Sequence, residues 1–188
     1  MLKQMIKALE EMPIIAAIKN DEELRLALKS ECQVVFVLYG DICNIAAIAS
    51  RLKDAGKIAI IHVDLIEGLE NKPVAVDFIK QMTRADGVIS TKPALVKASK
   101  EAGLITIQRF FVLDSRAFEN IQKHISLGLA DLVEVLPGVM PKIIRKLASE
   151  MEVPLIAGGL ITDKEDVINA LSAGALAVST TLSDIWGS

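Results

Sequence analysis

At 188 residues, with 52% of them apolar and only 4% aromatic, the chain can bury an aliphatic core, and that balance excludes intrinsic disorder. A net charge of −3 supplies no global field for nucleic acid, so an RNA or DNA partner would need a local basic patch. No apolar run approaches the ~18 residues of a membrane span, and the N-terminal segment, with Lys3, Lys7, Glu10 and Glu11 among apolar residues, is no signal peptide. Cys32 and Cys43 stand in no metal or redox spacing, so a soluble, reducing, cytoplasmic setting without metal or cofactor is expected.

The chain opens with Leu2, Met5, Ile6 and Leu9 on one helical face. Eight strand-like apolar runs follow: Ile14–Ile18, Val34–Leu38, Ile58–Val63, Gly87–Ser90, Ile105–Arg109, Leu132–Leu136, Pro154–Ala157 and Leu176–Ser179. Amphipathic helical patterns separate them, such as Leu24 with Leu28 and Val167 with Ile168 and Leu171. Asn20-Asp21-Glu22-Glu23 and Thr162-Asp163-Lys164-Glu165 each place a capping residue three before a glutamate. Pro93 and Pro141 suit first-turn positions, where no N–H is missed. Ala55-Gly56, Ala102-Gly103 and Ala173-Gly174 read as helix C-caps turning into strands, because glycine takes the left-handed conformation at little cost.

Strands without two-residue alternation, each followed by a helix, imply a parallel sheet covered on its outer face. Eight such units point to a single-domain α/β protein over residues 1–188, a (β/α)8 TIM barrel of eight parallel strands. The competing architecture, an open flavodoxin-like sheet, needs only five strands. Too few residues follow Thr180 for a full eighth helix, so the helix over residues 2–11 is expected to fill that slot.

Barrel chemistry gathers at the C-terminal strand ends. Those positions hold Lys19, Tyr39, Asp41, His62, Asp64, Ser90, Lys92, Gln108, Arg109, Glu134, Gly158, Gly159, Ser179 and Thr180. Gly158-Gly159 and Ser179-Thr180 end successive strands 7 and 8, where convergent N–H groups favour a phosphate-type anion; a turn that merely needs glycine is the plainer alternative. Lys19, Lys92 and Arg109 are either ligand-facing cations or salt-bridge partners of Asp64 and Glu134. His62 reads as a packing residue or an acid–base group, and Cys43 as an ordinary buried thiol. Lys142-Ile143-Ile144-Arg145-Lys146 reads as a solvated helix face, and Phe110, Phe111 and Trp186 as packing anchors.

Several stretches are not generic barrel sequence: Ala17-Ile18-Lys19-Asn20, His62-Val63-Asp64-Leu65-Ile66-Glu67-Gly68 and Gly87-Val88-Ile89-Ser90-Thr91-Lys92. To these add Ile107-Gln108-Arg109-Phe110-Phe111-Val112-Leu113-Asp114-Ser115, Val133-Glu134-Val135-Leu136-Pro137-Gly138-Val139 and Ile156-Ala157-Gly158-Gly159. Through them nearly the whole chain resembles the glycerol-uptake-operon antiterminators, the glycerol-3-phosphate-responsive antitermination regulators. That resemblance implies a cytoplasmic transcription regulator of glycerol use, not an enzyme, that binds glycerol 3-phosphate and leader mRNA. It also implies that the mouth residues bind ligand: Lys19, His62, Asp64, Ser90, Lys92, Gln108, Arg109, Glu134, Gly158, Gly159, Ser179 and Thr180. Leu182 stands where the family tends to carry a polar residue. Phosphate is expected at Gly158, Gly159, Ser179 and Thr180, with Asp64, Glu134 and Arg109 toward the glycerol end. The enzyme alternative is an aldolase or isomerase of a small sugar phosphate using Lys92 or His62. A homo-oligomer is compatible with the sequence, a membrane partner is not.

Overall fold

The computed structural model describes residues 1–125 and 127–187, and of residue 122 the backbone only. Eight parallel strands close in sequence order into a barrel: β1 Ile14–Ile18, β2 Val34–Val37, β3 Ile58–His62, β4 Gly87–Ser90, β5 Ile105–Phe111, β6 Leu132–Leu136, β7 Leu155–Gly158 and β8 Ala177–Thr180. The helices are α1 Leu2–Glu11, α2 Asp21–Lys29, α3 Ile45–Asp54, α4 Pro73–Met82, α5 Pro93–Glu101, α6 Ser115–Ile125, α7 Pro141–Glu150 and α8 Lys164–Ser172. No described helix is long and apolar enough to cross a membrane.

Apart from the C-terminal ends of β5 and β6, both faces of each strand are buried, which is why the strands are continuous aliphatic runs. Register separates the faces. Ile15, Ala17, Phe36, Ile60, Ile89, Ile107 and Ile156 point into the barrel, while Ala16, Val35, Ile61, Val133 and Val178 meet the helices.

The helix ends follow their capping chemistry. Asn20 Oδ1 accepts the Glu23 N–H at 2.8 Å, and Pro93 and Pro141 occupy first-turn positions. Gly56, Gly103 and Gly174 have φ of +75°, +71° and +107°, as the C-cap reading requires. At α8 the cap lies one residue later than the sequence suggests. Asp163 accepts the Asp166 N–H at 2.9 Å, and Asp166 in return accepts the N–H and hydroxyl of Thr162. Two aspartates tie the barrel's N-terminal end in the same way. Asp86 accepts the Ala59 N–H at 2.9 Å and the Lys53 ammonium at 2.6 Å, and Asp131 accepts the Thr106 N–H at 2.9 Å and the Lys100 ammonium.

The placement of α1 departs from expectation. Its buried residues Met5, Ala8 and Leu9 join the inward-facing cluster with Ile15, Val34, Phe36, Ile58 and Ile105, so α1 closes the bottom of the barrel instead of filling the eighth-helix slot. The physical reason is at the other end of the chain. After β8 a single 3-10 turn, Ser183–Ile185, carries Trp186 into the outer layer, where it is 1% exposed. Its Nε1 donates to the Thr180 carbonyl at 3.0 Å, and its own carbonyl accepts from Cys32 Sγ at 3.4 Å. One indole occupies that outer space, leaving the open aliphatic base of the barrel as the surface that α1 can bury.

Candidate functional site

The aliphatic interior changes character near the C-terminal strand ends. On β5 and β6, Arg109 and Glu134 are register partners, both facing inward. Arg109 Nε donates to Glu134 Oε2 at 2.5 Å, and Ser179 Oγ on β8 donates to Glu134 Oε1, also at 2.5 Å. Glu134 is wholly buried and the Arg109 side chain 10% exposed, a pair that is viable there because each partner neutralises the other. This arrangement explains Gly158: a Cβ at that position would lie 2.5 Å from both Glu134 Oε1 and Ser179 Oγ.

Above this triad lies a recess of about 120 Å³, lined by Arg109, Glu134, Gly159, Ser179, Thr180 and Thr181 with Ala17, Leu38, Leu136, Leu160 and Ile161. Its backbone is unusual. Gly159 has φ +77° and Leu160, a non-glycine residue, has φ +59°. A branched side chain held left-handed costs roughly 1–2 kcal/mol, and Leu160 does so while 70% exposed. Among the described residues, the N–H groups of Leu160, Ile161 and Thr181 donate no hydrogen bond within the chain. Free amides beside a left-handed corner are the elements from which anion-accepting concavities are built.

Of the residues singled out from sequence, the structure brings Arg109, Glu134, Gly159, Ser179 and Thr180 to this recess, with Gly158 beneath it. Thr180 faces outward on β8, and its Oγ1 accepts the Leu182 N–H at 3.1 Å. Gln108 also lies on the outward face of its strand, buried toward the helix layer. Asp64 and Ser90 engage each other: Asp64 accepts from Ser90 Oγ at 2.5 Å and from the Thr91 N–H and hydroxyl at 2.7 Å. Burial alone would raise the Asp64 carboxyl, but these hydrogen bonds outweigh it and hold it below the usual carboxylate range. Lys19 is exposed and pairs with Glu23 at 3.8 Å, and Lys92 is exposed at the rim. Of the cation–carboxylate pairs considered, the structure contains Arg109–Glu134.

His62 faces inward on β3 and is 3% exposed, and its Nδ1 has no hydrogen-bond partner among the described residues. Burial, then the positive charge of Arg109, pushes its imidazole down to about 4, so it is neutral at physiological pH. Tyr39 donates to Asp21 at 2.8 Å, and the loops after β2 and β3 knit together through Ile42 N–H to Glu67 O at 3.0 Å and Glu67 N–H to Gly40 O at 2.9 Å. The rim over β2 and β3 is closed by its own loops, and the recess opens between β5–β8 and the ends of β1 and β2.

Two expectations need correction. Cys43 is exposed, because its loop crosses the rim instead of packing beneath it. Phe111 is half exposed at the extended end of β5, where no helix covers it. Leu136, Leu160 and Thr181 line the recess without having been singled out. Only the left-handed Gly159 beside Leu160 could have signalled them, and a φ value is not legible in a leucine.

Known proteins share this fold. The glycerol-3-phosphate responsive antiterminator family model matches residues 14–186. The uncharacterized protein YgcP of Escherichia coli K12 is 47% identical over 97% of this chain and 95% of its own length. The crystal structure of the glycerol uptake operon antiterminator regulatory protein of Listeria monocytogenes is similar at TM-score 0.89 and 31% identity, covering 93% of this chain and 95% of that one. A glycerol uptake operon antiterminator-related protein of Thermotoga maritima is similar at TM-score 0.80 and 34% identity, covering 92% and 96%. A barrel whose interior turns polar around Arg109, Glu134 and Ser179, matched in this way along its length, belongs to the glycerol-3-phosphate responsive antiterminator family.

Proposed function

We propose that this chain is a cytoplasmic antitermination regulator of glycerol-use genes that binds glycerol 3-phosphate in the mouth recess and acts on leader mRNA. The observation that carries the ligand assignment is the recess itself. It joins one partly buried guanidinium to three N–H groups that have no partner among the described residues, at a strained left-handed corner. A phosphate monoester carries roughly −1.5 to −2 charges at neutral pH, which calls for this combination of donors. Gly159, Ser179 and Thr180 contribute to the phosphate end, with Gly158 providing the space for Glu134. Glu134 engages Arg109 through one oxygen and Ser179 through the other, and so orients both toward the ligand. Glycerol hydroxyls, donors as well as acceptors, suit the Glu134 carboxylate, whereas the neutral His62 lies outside the recess lining and Asp64 is already bonded to Ser90 and Thr91. Lys19, Ser90, Lys92 and Gln108 have weaker geometric support, because their side chains point to the rim, to Asp64 or to the helix layer.

The enzyme alternative draws on solved barrels such as the deoxyribose phosphate aldolase of Aeropyrum pernix, which at 16% identity shares the fold alone. An aldolase-type Schiff base needs a lysine sheltered in the barrel, and Lys92 is exposed.

Thermal shift with glycerol 3-phosphate, glycerol and inorganic phosphate tests the pocket. Glycerol 3-phosphate at ~100 times its Kd should add about 2.7 kcal/mol, with glycerol giving less. No shift with either phosphate compound would refute the assignment. Gel shift of the leader transcript ahead of the glycerol-use genes, with and without glycerol 3-phosphate, tests the regulator. Turnover of a sugar phosphate that Lys92→Ala abolishes would establish the enzyme instead.

A further inference from the structure

The sequence presents Lys142, Arg145 and Lys146 as a solvated face, and the fold makes that face unusual. Ile144 and Leu147 of α7 are fully buried, which turns Lys142, Arg145 and Lys146 outward together at i, i+3 and i+4. None of the three forms an ion pair among the described residues. Other helices set carboxylates beside their cations. The first turn of α2 holds Asp21, Glu22 and Glu23, α5 pairs Lys97 with Glu101, and the first turn of α8 holds Glu165 and Asp166. In α7 the sole carboxylate is the last residue, Glu150.

Helix stability does not account for this arrangement. Cations near a helix N-terminus oppose the macrodipole, and α7 has neither an acidic first turn nor a side-chain N-cap to compensate. Positive side chains therefore add to the positive end of the helix, in a protein whose net charge is −3. Lys146 also stands over the Phe118 ring of α6 at 4.4 Å, at the edge of a groove it lines with Asp114, Glu119 and Glu150, and the positive face ends there. Its position relative to the mouth is equally specific. Residues 137–140 join β6 to α7, Leu136 before them lines the recess, and the Gly138 N–H donates to the Gly159 carbonyl at 3.0 Å.

We infer that the outer face of α7 is the surface that grips the RNA phosphate backbone, and that ligand seated against Gly159 acts on it through the 137–140 loop. Unpaired, solvent-exposed cations at one-turn spacing suit a polyanion, which gains from counterion release and requires no apolar complementarity. The inference rests on the antiterminator reading given above. It adds the face and the route by which the pocket reaches it.

The test compares the wild-type protein, the triple variant Lys142→Gln/Arg145→Gln/Lys146→Gln and a control from a distant face, Arg25→Gln/Lys29→Gln. Glutamine keeps helix propensity while removing charge. Anisotropy of the fluorescein-labelled leader transcript ahead of the glycerol-use genes is measured across a salt series at saturating glycerol 3-phosphate. For the triple variant the log–log salt slope should fall by ~2–3 and the affinity by on the order of tenfold or more. The control should match the wild type, and all three proteins should share one thermal midpoint and one glycerol 3-phosphate affinity. Wild-type affinity and slope in the triple variant, or an equal loss in the control, overturns the inference and leaves the regulator intact. Failure of the wild type to bind the transcript, with or without glycerol 3-phosphate, overturns the RNA reading itself. Intact RNA binding with loss of antitermination during in vitro transcription would assign the face to an acidic protein partner and equally overturn the inference.

Discussion

Glu134 and Gly158 exclude one another's side chains: the wholly buried Glu134 carboxylate occupies the point, 2.5 Å away, where a Gly158 Cβ would press. The glycine of β7 is thus set by a carboxylate two residues into β6 and by the Ser179 hydroxyl that bonds to it. Three strands share one polar knot, and the recess is built on it.

Gly158→Ala should therefore be costly although it adds a single methyl group. The neighbouring atoms belong to a bonded carboxylate and hydroxyl and have nowhere to retreat. Overpacking of this kind costs roughly 1–3 kcal/mol, which lowers Tm by several degrees in a chain of this size. Glycerol 3-phosphate affinity should fall with it. A thermal melt and ligand titration matching the wild type would show that the knot yields.

Stability should depend on pH through His62. The unfolded imidazole takes up its proton near 6.5, whereas the folded one resists until about 4. The unfolded state therefore binds more protons between those values, and folding stability declines as pH falls from 6.5 to 4, by roughly 3 kcal/mol at most. Above 6.5 this contribution is constant. Asp64, held below the usual carboxylate range, is lost only at lower pH. Urea denaturation across pH 4 to 7 should show a shallower dependence for His62→Gln than for the wild type, and equal slopes would contradict the assignment.

The plug under the barrel makes a separate prediction. Leu9 is fully buried among inward-facing residues, and Leu9→Ala leaves a void that rigid strands cannot close. A loss of about 2–5 kcal/mol is expected in chemical denaturation. Glycerol 3-phosphate affinity at low temperature should be unchanged, because the recess is at the opposite end. A loss of affinity without a loss of stability would contradict this placement of α1.

Trp186, the single tryptophan, is a natural reporter of the mouth. Its Nε1 bonds to the carbonyl of Thr180, a residue that lines the recess. Titration with glycerol 3-phosphate should change its emission, while glycerol at the same concentration should change it less. Constant emission under conditions where thermal shift reports binding would separate ligand contact from the β8 end.

The architecture was legible because its signals are local. Strand runs, capping asparagine, first-turn prolines and C-cap glycines each act within a few residues, and together they spelled out eight βα units. The polar strand ends stood out for the same reason, as interruptions of aliphatic runs. Inward or outward direction was another matter. Gln108 and Arg109 are neighbours in sequence, yet only Arg109 enters the barrel, since the register with Glu134 decides it.

What the sequence by itself determined is the barrel, the helix ends marked by caps, first-turn prolines and C-cap glycines to within a residue or so, and the concentration of polar residues at the C-terminal strand ends. Only the tertiary structure decided that α1 plugs the base, that Trp186 fills the outer gap, and that Asp64 and Ser90 spend their bonds within the chain. It alone decided that Arg109, Glu134 and Ser179 meet. Propensity, capping and periodicity are properties of short segments, whereas register, plugging and the convergence of three strands exist only once the sheet has closed.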